Sequence, residues 1–147
     1  MRSITTSSLR RQRGVGLLEV LISMIILALC MLGMAALQTT ALRNNQSAQS
    51  RSMATILSAS IIDAMRANAT AARSGQYNVA TCANPGGDVL VQLDVVTWIL
   101  SLKSAIGVTA CGGIKCVNGL CDITVQWDDS RATAGDQVYT VTTRIQL

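Results

Sequence analysis

Histidine is absent from the 147 residues, and that one absence removes Ser-His and Cys-His nucleophiles and histidine-ligated metal sites together. Charge is also sparse, at 14% of residues, whereas half of the chain is hydrophobic. The net charge of +4 suggests a nucleic-acid partner only until it is located. Arg2, Arg10, Arg11 and Arg13 stand before residue 14 with no acid among them, and the remainder carries eight basic and eight acidic residues. No basic patch is left to neutralise phosphates, which argues against nucleic acid. The adjacent carboxylates Asp128 and Asp129 read as a solvated polar turn. No residue set suggests a catalytic group, a cofactor or a metal, so no enzyme activity is expected.

Helix breakers are scarce as well. No proline occurs before Pro85, and no glycine lies between Gly33 and Gly75. From Val15 to Leu42 the chain holds one charge, Glu19, over a run longer than the roughly 20 apolar residues that span a bilayer. The arginines before it place the N-terminus in the cytoplasm and everything after Leu42 outside the inner membrane. An ordinary secretory signal ending at Gly33-Met34-Ala35 has too long an apolar core, since such cores run to about 7–15 residues. A lipoprotein signal at Leu27-Ala28-Leu29-Cys30 has leucine where a small residue is needed.

The missing breakers let one helix continue from Val15 to about Asn68. Met53, Ile56, Leu57, Ser60, Ile61, Ala64 and Met65 recur at three- and four-residue spacing as an apolar stripe. Asn44, Gln46, Gln49, Ser58 and Asp63 occupy the other side. Asn68, Thr70 and Gly75 mark the end of this helix, with a polar loop beyond. After the turn Asn84-Pro85-Gly86-Gly87, Asp88 is placed to cap a helix reaching about Ala105, with Leu90, Leu93, Trp98 and Leu102 on its apolar side. Whether that helix breaks at Asp94 stays open.

The last third reads as strands. Val117-Asn118-Gly119-Leu120 is a two-residue hairpin signal, because Asn-Gly tolerates the positive φ angles of a type I′ turn. Ile123, Val125 and Trp127 alternate with polar residues, as do Tyr139, Val141, Thr143, Ile145 and Leu147. The expected fold is α+β: a long N-terminal helix, apolar in its first half and amphipathic in its second, packed on a small antiparallel sheet of at least three strands. Cys82, Cys111, Cys116 and Cys121 all fall in the exported head, where an oxidising compartment favours disulfides. Three pairings are open. The near-symmetric placement of Cys116 and Cys121 about Asn-Gly favours that pair, leaving Cys82 with Cys111. A four-thiolate zinc site is the rival, and no Cys-x-x-Cys spacing supports it. Cys30, inside the apolar run, reads as a small packing residue.

Arg13-Gly14-Val15-Gly16-Leu17-Leu18-Glu19 resembles the class III signal of the type IV pilin superfamily. The resemblance implies cleavage after Gly14 by prepilin peptidase, methylation of Val15, and a subunit-assembly role for Glu19 toward the α-amino group of a neighbour. The family usually has phenylalanine where this chain has Val15. The segments then divide as leader 1–14, membrane or filament-core helix 15–42, amphipathic helix 43–68 and periplasmic head 69–147. Ile61-Ile62-Asp63-Ala64-Met65-Arg66-Ala67-Asn68, Asp94-x-x-x-Trp98 and Asp122-Ile123-Thr124-Val125-Gln126-Trp127-Asp128 are similar to minor pilins of the pilus-modification group PilV. That similarity implies other minor pilins, the major pilin and a large tip adhesin as partners. It also implies a location in the inner membrane and then at the pilus tip. A type II secretion pseudopilin and a non-polymerising membrane-anchored binding protein are the alternatives.

Overall fold

The computed structural model describes residues 16–86, 88–132 and 135–147. Six elements follow in order: α1 (Leu17–Ala67), α2 (Ala69–Arg73), α3 (Val89–Ala105), β1 (Cys111–Val117), β2 (Leu120–Trp127) and β3 (Tyr139–Gln146). The chain forms two compact units divided between Thr39 and Thr40, and α1 contributes to both. The expected helix start at Val15 lies outside the described residues.

In the first unit every described residue from Gly16 to Thr39 is exposed, although most are Leu, Ile, Met, Val or Ala. Its hydroxyls do not need an outside partner. Ser23 Oγ donates to the carbonyl of Glu19 at 2.7 Å, and Thr39 Oγ1 to that of Ala35 at 2.9 Å. Such back-bonding to the preceding turn lets serine and threonine sit on an apolar helix without an orphaned donor.

In the second unit the sheet has the order β1-β2-β3, antiparallel throughout. Asn118 (φ 52°) and Gly119 (φ 80°) form the two-residue turn between β1 and β2, both in the left-handed region that Asn-Gly adopts readily. Ile123, Val125 and Trp127 are buried at alternate positions of β2. They share one core with Ala54, Ile61, Ile62 and Met65 of α1 and with Val91, Val95, Trp98 and Leu102 of α3. Residues 77–82 run along the outer edge of β1: Val79 pairs with Ile114 through two 2.9 Å bonds, and Cys82 N donates to the Gly112 carbonyl at 3.2 Å. Two glycines of β1 allow close approach, Gly112 to α3 and Gly113 to the 77–82 segment. A Cβ at Gly112 would enter the Trp98 ring, and one at Gly113 would lie 2.6 Å from Thr81 Oγ1.

Four expectations need correction. The buried stripe of α1 runs through Ser47, Ala54, Ser58, Ile61, Ile62 and Met65, whereas Ile56 and Ser60 are exposed. Ser58 is buried because its hydroxyl bonds to Ala54 O at 2.8 Å, so it behaves as a small core residue. Residues 69–73 form α2 rather than a polar loop, since Ala71 and Ala72 bury against the core. On α3 the buried residues are Val91, Val95, Trp98 and Leu102, while Leu90 and Leu93 face outward. Asp88 holds the N-cap position with an extended backbone, but its side chain makes no capping hydrogen bond. The helix passes Asp94 unbroken.

Asp94 has a different task. Its Oδ2 accepts a 2.6 Å hydrogen bond from the buried Tyr77 hydroxyl. Burial, with the Asp94 carboxylate beside it, pushes the Tyr77 pKa up from 10.0 to about 12. A raised folded-state pKa means that the stabilisation is complete below pH 10 and is lost as pH rises toward 12. Alkaline denaturation of the detergent-solubilised chain should therefore show a loss of stability across pH 10 to 12 that is shallower in Tyr77→Phe, measured by near-ultraviolet circular dichroism.

Candidate assembly segment and the frame of the head

Gly14 and Val15, the expected cleavage and methylation positions, lie outside the described residues. Glu19 is in the first turn of α1, where its backbone N–H bonds to Gly16 O at 2.9 Å. A carboxylate there complements the unsatisfied N–H groups of the helix start. Around it Leu17 and Leu18 are 80% and 71% exposed, so the acid sits on an uncovered apolar surface. Cys30 is a free thiol exposed on that surface.

The four head cysteines are taken up in two disulfides, Cys82–Cys111 and Cys116–Cys121, which leaves no thiolate for zinc. Cys116 and Cys121 face each other across β1 and β2. Cys82–Cys111 ties the 77–82 segment to the start of β1, with Cys82 at φ 65°. Asn78 completes this attachment. Its Oδ1 accepts from Cys116 N at 2.7 Å, and its Nδ2 donates to Cys116 O at 3.3 Å. On the exposed side of the sheet, Arg144 donates from Nε and Nη2 to both oxygens of its cross-strand partner Asp122, at 2.6 and 3.0 Å. That contact holds the Asp122 carboxyl below the usual range.

One grouping was not foreseen. Asp129, expected in a solvated turn, is 6% exposed. Its Oδ2 accepts a 2.6 Å bond from the Ser47 hydroxyl of α1 and lies 3.5 Å from Arg51 Nη2. The Arg51 guanidinium in turn covers the Tyr139 ring at 4.2 Å, and Tyr139 packs on Trp127 with centroids 5.0 Å apart. This chain of contacts adds a charged link between α1 and the far ends of β2 and β3 to the apolar packing of the core. Ser47, Arg51, Ala54 and Ser58 follow a helical 4-3-4 spacing that signals the face in retrospect, but their polarity hid it from an apolar count. Beside the group lies a polar cleft of about 290 Å³, lined in part by Arg43, Gln46, Thr109 and Arg131. Among the described residues no cluster of three or more His, Cys, Asp or Glu forms a metal site.

Residues 9–35 match the family model for the prokaryotic N-terminal methylation motif. The chain carries this motif. Its span covers Gly14, Val15, Glu19 and the first part of the apolar helix. No curated protein and no solved structure matches the chain. Motif and α+β architecture together support a type IV pilin-like protein, and an exposed apolar helix near the N-terminus fits membrane anchoring.

The buried Asp129 contact yields a graded prediction for the motif-bearing chain. Asp129→Ala leaves the Ser47 hydroxyl and the Arg51 charge without their acceptor and should lower head stability by about 2–4 kcal/mol. Ser47→Ala removes one neutral donor to a charged group and should cost about 1.5 kcal/mol. Urea denaturation followed by tryptophan fluorescence ranks the two variants.

Proposed function

We propose that the chain is a minor pilin of the PilV group, which takes part in priming type IV pilus assembly and in the complex at the pilus tip. The observation that carries this reading is the methylation motif over residues 9–35, set on an apolar helix that also carries Glu19. In this reading prepilin peptidase cuts between Gly14 and Val15, Val15 is methylated, and α1 anchors the head on the periplasmic side of the inner membrane. Residues 1–14 are then the leader, 15–42 the membrane and filament-core segment, 43–68 the amphipathic half of the helix, and 69–147 the head.

Glu19 supplies the reason to leave the bilayer. A carboxylate held deep in an apolar span costs about 2.5–3.5 kcal/mol. The charged amine of Val15 on a neighbouring subunit offsets that cost when the two meet in a bundle of like helices. The oxidised head suits a protein that works outside the cytoplasm. Support for the PilV group comes from the three segments that resemble it. They contribute Ile61 and Met65, Trp98, and Ile123, Val125 and Trp127 to one core, while Asp94 of the same set holds Tyr77. The expected partners are other minor pilins, the major pilin and a large tip adhesin.

Intact mass and N-terminal sequencing of the membrane-extracted protein test the processing step. The reading requires a chain that begins at Val15 and carries one added methyl group, and Gly14→Ala should block that cleavage. A mature start at Ala36, or a lipid on Cys30, would overturn it. Recovery with secretion components instead of pilus components would move the protein to the type II pseudopilins.

A further inference from the structure

α3 is apolar on two sides, and the fold covers only one of them. Val91, Val95, Trp98 and Leu102 are buried in the core of the head. Val89, Leu93, Val96 and Leu100 repeat the same spacing on the outside, where they are 83%, 61%, 36% and 60% exposed. A helix with apolar residues on both sides is normally covered all round. Outer positions at 4-3-4 spacing match the a/d seam of paired helices, and Lys103 continues the series by three.

The charges at the two ends of this stripe select the occupant. Asp88 stands at the N-terminus of α3 and makes no capping bond, and Lys103 stands at the C-terminus. Among the described residues neither takes part in an ion pair. A second α3 laid antiparallel across the first brings each Lys103 beside the other copy's Asp88, with Val96 meeting Val96 on the two-fold axis and Leu93 beside Leu100. Parallel pairing would set like charges together at both ends. Flanking the stripe is an apolar groove of about 160 Å³, whose lining includes Cys82, Pro85, Val96 and Leu100 and which offers room for a side chain from the opposite helix.

We propose that the outer face of α3 is a self-association seam, on which α3 of a second copy of this chain packs antiparallel about Val96. The inference does not rest on the pilin reading. A single pair of short helices buries less than a standard interface, so the dimer is weak by itself and is best captured covalently.

The test uses the full-length chain in membranes of producing cells, with Cys30→Ser to remove the free thiol and a short bismaleimide that leaves the head disulfides intact. Val96→Cys should give a homodimer identified by mass spectrometry. Lys103→Cys alone should stay monomeric, while Lys103→Cys co-produced with Val89→Cys should cross-link. Lys103→Glu in the Val96→Cys chain should lower dimer yield roughly fivefold, because two exposed ion pairs become like-charge contacts. Adding Asp88→Lys should restore the yield without any change in apolar residues. Cross-linking of Val96→Cys to a different protein, absence of any adduct as expected for a lipid-covered face, or a yield indifferent to the charge reversals would each overturn the proposal.

Discussion

The constraint on which the rest of the molecule depends is the uncovered apolar surface of the first part of α1. Leu17 to Leu37 carries leucine, isoleucine and methionine side chains that are about half exposed or more around the whole helix. At roughly 25 cal/mol per Å² such a surface cannot be left in water. Only a bilayer or a bundle of similar helices satisfies it on every side. The backbone is already prepared for either, since the helix closes its own N–H and C=O groups and Ser23 and Thr39 bond within the preceding turn. Among the described residues of that segment Glu19 is the one charged side chain.

The head meets a different constraint. It has a three-stranded sheet and modest core, and such small domains use covalent staples when burial alone is thin. Cys82–Cys111 and Cys116–Cys121 fix the edge of β1 and the β1–β2 hairpin. The end of the sheet that holds Cys111, Trp127 and Tyr139 is also tied to α1 through Ser47, Arg51 and Asp129. The hairpin end thus depends on a disulfide alone, and the other end on a disulfide together with a buried, hydrogen-bonded carboxylate. The apolar outer face of α3 belongs to neither scheme, which is why it points to association.

How much of this was legible in the chain depended on the kind of signal. The long helix followed from the absent breakers, and the hairpin from Asn118-Gly119, because backbone preferences act locally. The α+β class followed from the change of hydrophobic period between the two ends of the chain. The face of α1 followed at Ile61 and Met65 but not further toward the N-terminus, because Ala54 and Ser58 are small rather than oily and Ser47 reaches inward through a hydrogen bond to Asp129. On α3 two apolar stripes compete, and periodicity alone cannot say which one the sheet will cover. Asp129 was misread because adjacent acids suggest solvent, whereas its partners lie 82 and 78 residues earlier in the chain. Gly14 and Glu19 were legible as a motif because their chemistry is fixed by spacing, independent of the fold around them.

The central claim, that Glu19 drives a membrane-held subunit into a filament, is tested most directly by partitioning. The measurement is the amount of this chain in sheared extracellular filaments relative to the membrane fraction, for wild type and Glu19→Ala in the same cells. The account predicts that Glu19→Ala is inserted and cleaved normally, accumulates in the membrane, and is depleted from the filaments. Equal recovery of the two proteins in the filament fraction would contradict it and reduce Glu19 to a tolerated charge at the membrane surface.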